Sequence, residues 1–349
     1  VMPASTPEAV PFLPTTRPEM DALGWDACDV VLISGDAYVD HPSFGVALVG
    51  RVLERAGWRV GIIPQPDWRR AGEVSRLGAP RLFVGLTAGN VDSLVANLSA
   101  NKQRRRQDDF SPGGKAGRRP DRATLVYANL VRAELPGVPI VLGGLEASLR
   151  RLAHYDHWDD AVRRSLLVDA RADILVYGMG EAQITTIAAR LAAGEPAARL
   201  DGIPGTVVVR AADAAPADAV SLPSFEAVAD NREAYGEAFK LAERELAPAT
   251  ARPLAQRHAG RVVIQHPPVA PPTQAELDGF YALPFRRTWH PRHDAEGGVP
   301  ALETVRTSIT AHRGCCGDCS FCAITAHQGR IVTSRSEASI LAEARDIAA

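Results

Sequence analysis

From residue 29 onward, short and nearly uninterrupted apolar runs alternate with longer amphipathic ones, and this alternation leaves the chain few architectures to choose from. "DVVLISG" (29–35) is apolar at successive positions rather than at every second one, the pattern of a strand covered on both faces. "SFGVALVGRVLERAG" (43–57) follows with helical spacing, Ser43 placed to cap its start and Gly57 to close it. The strand pattern returns in "WRVGIIPQ", "PRLFVGLTAG" (80–89), "VPIVLGG" (138–144) and "ADILVYGMG" (172–180). Between and after these, "DRATLVYANLVRAEL" (121–135) and "EAQITTIAARLAAG" (181–194) read as helices. Such an order specifies an α/β fold, a doubly wound parallel sheet with helices on both faces, over residues 22–210.

Residues 211–300 break the alternation. "FEAVADNREAYGEAFKLAEREL" (225–246) predicts one long helix, "GRVVIQHPP" (260–268) a strand, and the proline-marked remainder a linker between domains. The layout expected is an N-terminal tail over 1–21, the α/β domain over 22–210, a linker over 211–300 and a last unit over 301–349. His266, His290 and His293 occur singly in the linker and read as structural or exposed rather than as ligands.

In a doubly wound fold, ligands sit beyond the carboxyl ends of the strands. The segments there are 35–45, "TAGN" (87–90), "GGLEAS" (143–148) and "GMGE" (178–181), whose glycines turn the chain and admit close backbone approach. Two insertions interrupt the domain. Residues 101–122 carry eight Lys or Arg against three Asp, material for an RNA contact. With no stacking aromatic beyond Phe110, the segment reads as a solvated loop. "HYDHWDD" (154–160) offers His154, Asp156, His157, Asp159 and Asp160, but without paired metal-ligand spacing it reads as a polar loop beside the ligand crevice. A net charge of −2 argues against a polyanion-binding protein as a whole. No apolar stretch approaches the ~18 residues of a membrane span, and the first twenty residues lack a signal-peptide pattern. The expected compartment is the cytoplasm.

Four of the five cysteines, Cys315, Cys316, Cys319 and Cys322, fall within eight positions, and Cys28 stands apart. A disulfide framework would scatter its cysteines, so the cluster points to metal chemistry. Two frames are open, C-x3-C-x2-C from Cys315 and C-x2-C-x2-C from Cys316. Thiolates so spaced can fold around a soft metal or an iron–sulfur cluster. No cysteine follows Cys322, so four thiolates in the ferredoxin manner are not supplied. His312 or His327 could complete a zinc site, but there is no second C-x2-C pair to support one. A cluster on three cysteines leaves one iron open to a substrate or cofactor.

The stretch "HRGCCGDCSFC", with Arg-Gly before the first cysteine and Phe321 before the third, resembles the cluster motif of radical S-adenosylmethionine (radical SAM) enzymes. "VRTSITAH" before it reads as the first barrel strand. Beyond the motif, "SGDAYVDHPSFG", "PGGKAGRRPDRA", "GGLEASLRRLAHYDHW", "ADILVYGMGEAQI" and "CAITAHQGRIVTSRS" together resemble the N-terminal half of YgiQ-type radical SAM proteins, over nearly the whole chain from residue 22. The resemblance implies that Cys315, Cys319 and Cys322 bind a 4Fe-4S cluster, with Cys316 a bystander. It implies that the open iron chelates S-adenosylmethionine, and that an electron donor drives its cleavage to a deoxyadenosyl radical. It names no substrate. The α/β domain is similar to the cobalamin-binding-like, Rossmann-like domains that precede many radical SAM barrels. There an Asp-x-His-x-x-Gly stretch supplies the lower cobalt ligand, whereas here Asp40 and His41 are adjacent in Asp40-His41-Pro42-Ser43-Phe44-Gly45. With that spacing, cobalamin is not expected. Only residues 323–349 follow the motif, against the ~200 of a complete barrel, so 301–349 reads as the truncated start of a radical SAM (β/α) partial barrel, and the chain alone as inactive. A cobalamin-like, ligand-binding α/β module and a zinc-stabilised interaction protein engaging RNA through 101–122 are the non-catalytic alternatives.

Overall fold

The computed structural model describes residues 11–317 and 319–348. The first apolar run is strand β1, Val30–Ser34, buried at every position. Its alternate side chains divide between two cores. Val30 and Leu32 enter one, with Val46, Ala47 and Leu53 of helix α1 (Gly45–Arg55). Val31 and Ile33 enter the other, with Tyr127, Ala128 and Val131 of helix α2 (Ala123–Glu134). A run without polar interruption is what a strand between two helical layers requires, since each face loses water and each buried Val or Ile side chain contributes roughly 1.5–3 kcal/mol.

Four further strands run parallel to β1: β2 (Val60–Pro64), β3 (Phe83–Thr87), β4 (Ile140–Gly143) and β5 (Ile174–Val176). Their order in the sheet is β2-β1-β3-β4-β5. Val30 pairs with Val60 on one side and Phe83 on the other. Helix α3, Gly144–Leu149, opens directly from β4, and helix α4, Glu181–Ala192, follows β5 and packs Ile184, Ile187 and Ala188 into the first core. The doubly wound parallel arrangement expected for the α/β region is therefore present.

The sheet then continues past residue 210. β6 (Thr206–Ala211) runs antiparallel to β5. The segment expected as a linker supplies β7 (Val220–Leu222), β8 (Leu254–His258) and β9 (Arg261–Gln265), which complete a nine-stranded mixed sheet in the order β7-β8-β9-β6-β5-β4-β3-β1-β2. The long helix expected over 225–246 is two, α5 (Phe225–Asp230) and α6 (Arg232–Arg244). Asn231 separates them because its backbone is extended and its side chain accepts from the amides of Glu233 and Ala234, capping α6. Residues 1–10 of the expected tail lie outside the described residues. Residues 17–22 form a capped helix, Leu13 is buried, and Ile62 donates its amide to the Pro14 carbonyl.

Toward the carboxyl end, the strand expected over "VRTSITAH" is not formed: Val305 ends a short helix and only His312 belongs to a strand, β10 (His312–Arg313), which pairs antiparallel with β11, Thr333–Ser334. Between these strands lie the cysteines and helix α7 (Ile324–Gln328), and after them α8 (Glu337–Ala348). Among the described residues no helix is long and apolar enough to cross a membrane.

Candidate functional site

At the carboxyl ends of the parallel strands the structure holds a cavity of about 550 Å³. It opens where the strand order reverses at β1 and β3, the place at which doubly wound sheets bind ligands, and its volume falls within the roughly 300–1,000 Å³ of cofactor pockets. Ser34, Thr87, Gly143 and Gly178 line it from the sheet. Arg313 and His327 line it from the cysteine-bearing segment. The strand-end glycines singled out in the sequence thus meet the cluster motif across one cavity. Gly144 shows why glycine is needed there: it has φ +85°, and a Cβ would lie 2.3 Å from the Thr87 hydroxyl.

Two side chains tie the cysteine segment to the α/β domain. The buried Arg313 guanidinium pairs with Glu181, at 2.5 Å, and donates from Nε to the Tyr281 hydroxyl at 3.1 Å. Glu181 stands in the first turn of α4, where the helix dipole favours a carboxylate. On the other side of the cysteines, His327 Nδ1 lies 2.9 Å from the Ser148 hydroxyl. Burial, opposed by Glu181 and assisted by Arg313, pulls this imidazole down to about 4. Next to Arg313, Gly314 has φ +85°, and a Cβ there would meet the Ile331 carbonyl at 2.1 Å, so the hairpin leading into the motif accepts no side chain at that position.

All five cysteines are free thiols. Gly317 sits between two of the expected cluster ligands: its Cβ, if present, would lie 3.4 Å from Cys315 Sγ and 3.7 Å from Cys319 Sγ. Its amide donates to Cys315 Sγ at 3.4 Å. Two sulfurs thus flank one point in a loop that keeps Cys316 and Cys319 exposed and Cys315 and Cys322 partly so, and among the described residues no three His, Cys, Asp or Glu side chains converge as a metal-holding group. Asp318, within the motif, lies outside the described residues.

The other sequence candidates are engaged elsewhere. Asp156 and Asp159 each accept from Arg122 and Arg163, His154 Nδ1 faces the Leu152 carbonyl, His157 Nε2 the Ala100 carbonyl, and Asp160 accepts from the Tyr155 hydroxyl. The basic loop spends its charge internally: Arg104 on Asp121, Lys115 and Arg118 on Glu296, and Arg119 on Asp36 and Asp108. His290 stacks on Tyr38, His293 Nε2 accepts the Tyr38 amide, and His266 pairs with Asp201.

The family model of the radical SAM N-terminal region matches residues 12–308. The chain belongs to that family, in its YgiQ-type branch. It is 53% identical over 339 residues to a UPF0313 protein of Geobacter sulfurreducens, covering 97% of this chain and 56% of that one. It is 54% identical over 334 residues to a UPF0313 protein of Thermotoga maritima, covering 96% and 59%. The chain thus spans little more than half the length of these curated relatives. Among solved structures it is similar to the radical SAM methyltransferase TsrM of Kitasatospora setae with cobalamin and a [4Fe-4S] cluster bound, at 17% identity and a TM-score of 0.50, over 91% of this chain and 45% of that one.

One expectation is thereby corrected. Cobalamin was set aside because Asp40 and His41 are adjacent, yet this radical SAM chain shares its fold with a protein whose structure holds cobalamin. The spacing test judged a single ligand residue, and a corrinoid site also depends on the cavity at the strand ends, which is present. His41 is itself turned to other work: Nδ1 accepts the Ser43 amide at 3.1 Å and Nε2 faces Arg287 at 3.1 Å. Arg313, Glu181, Ser148 and His327 all fall in segments the sequence singled out, but their pairing across the cavity was not read from it. Of these, His327 was weighed only as a zinc ligand.

Proposed function

We propose that this chain carries the cluster-binding portion of a radical SAM enzyme, with Cys315, Cys319 and Cys322 as the ligands of a 4Fe-4S cluster and S-adenosylmethionine on its open iron. When bound, that pair supplies a deoxyadenosyl radical on receipt of one electron. The observation that carries the reading is that Arg313 and His327, which flank the cysteine loop in the chain, both line the strand-end cavity. In this reading Gly317 leaves room between the sulfurs and its amide donates to Cys315, while the Arg313–Glu181 pair holds the loop against the cavity. The cavity takes a corrinoid, the class of cofactor held by the TsrM neighbour.

Anaerobic purification followed by iron, sulfide and zinc analysis tests the cluster. About four irons and four sulfides per chain are expected, lost in the triple variant Cys315→Ala, Cys319→Ala, Cys322→Ala. One zinc with little iron would refute the reading. Retention of a corrinoid through gel filtration, read from its visible spectrum, tests the cavity separately.

A further inference from the structure

The contacts of the Ser148 hydroxyl bear on which nitrogen of His327 holds the proton. Ser148 Oγ lies 3.0 Å from the Gly144 carbonyl, accepts the Gly178 amide at 3.0 Å, and lies 2.9 Å from His327 Nδ1. A hydroxyl has one proton, and the carbonyl can only accept. With the hydroxyl proton on the Gly144 carbonyl, the i−4 partner within α3, His327 Nδ1–H is the donor to Ser148. The neutral imidazole then has its lone pair on Nε2. Among the described residues Nε2 has no hydrogen-bond partner, and His327 lines the cavity.

A ring nitrogen fixed as a donor by a neighbouring hydroxyl, with its opposite nitrogen left free, is the arrangement in which proteins hold histidine ligands to metals. His41, where sequence spacing directed attention, lacks it, since both its nitrogens face protein groups. We infer that His327, and not His41, is the axial nitrogen ligand to the cobalt of a corrinoid in this cavity, with Ser148 as the positioning residue that sets its tautomer. This rests on the corrinoid reading of the cavity given above. It would place the axial ligand on the helix that directly follows the cluster cysteines, so that one short segment, residues 315–327, would serve both cofactors.

The test uses cobinamide, a corrinoid without its own nucleotide base, so that any axial nitrogen must come from the protein. The chain is loaded anaerobically, reduced to the Co(II) form and examined by electron paramagnetic resonance. Nitrogen splitting of the cobalt lines into triplets, becoming doublets when the chain carries 15N-histidine, is expected in the unsubstituted protein and in His41→Gln. The splitting should vanish in His327→Gln. Ser148→Ala should keep the splitting and weaken cobinamide retention about 10–100-fold, a result that does not depend on the His327→Gln protein folding well. Retained cobinamide without nitrogen splitting, or splitting lost in His41→Gln and kept in His327→Gln, would overturn the assignment while leaving the corrinoid reading intact. Failure to retain either cobinamide or cobalamin would overturn both.

Discussion

Four histidines in this chain are stored as neutral bases. Burial, the largest influence on each, pulls His41, His154, His293 and His327 to about 4, against about 6.5 for an unfolded histidine. Between those values the unfolded chain binds protons that the folded chain does not, so stability rises with pH across that window. The contribution is complete above pH 6.5 and lost as pH falls toward 4. Below that a second loss begins. Glu19, whose burial is outweighed by its bonds to His290 and Thr15, and Glu296, bonded to Arg118 and Lys115, are both held at about 2, so their contribution disappears between about 4.5 and 2. Urea unfolding followed by tryptophan fluorescence should show the midpoint falling steadily from pH 6.5 to 4, with a shallower fall in His293→Gln. A midpoint that stays level from pH 7 to 5 would contradict this account. Nothing in the sequence announced it, since His293 stands among Pro291, Arg292 and Asp294 and looks exposed. Its burial comes from the contact with the Tyr38 amide, 255 positions away.

Among the elements, the 101–122 segment follows its composition over 101–107, which are exposed, and departs from it beyond. Eight basic residues suggested a solvated, cationic loop. Instead Arg119 is driven into the sheet end, 2% exposed, where its guanidinium bonds Asp36 after β1 and Asp108 within its own loop. Burial raises Asp36 even with that cation beside it. Removing the cation would leave carboxylates buried without compensation, so Arg119→Ala should cost roughly 3–5 kcal/mol in urea unfolding. Arg104→Ala, in an exposed pair with Asp121, should cost less than about 1 kcal/mol. Equal effects would mean that Arg119 is no more than a surface residue. The apolar strands were readable because burial on two faces leaves a run without polar interruption. The break at Asn231 was less so, because a helix period continues through it and only the capping preference of asparagine marks the interruption.

At the scale of the whole molecule, the cysteine segment and the α/β domain act together through Arg313. Its substitution by Met should release the β10–β11 hairpin and the loop between while leaving the sheet cores untouched. Limited proteolysis should then cut within residues 306–348 several times faster, with the 11–300 fragment as resistant as before. Unchanged cleavage would show that the Glu181 pair does not hold the segment. The sequence by itself determined the parallel sheet, its two helical layers and the cysteine motif with its family, because these depend on local pattern: apolar runs, helical spacing, and thiols close enough to share a centre. Only the tertiary structure decided that residues 211–300 extend the sheet, because strand partners such as Val207 and Gln265 lie far apart in the chain. It alone brought Arg313 and His327 to the cavity and turned His41 away from it, since those contacts arise when strand ends and the cysteine hairpin meet in space, and no local spacing records such a meeting.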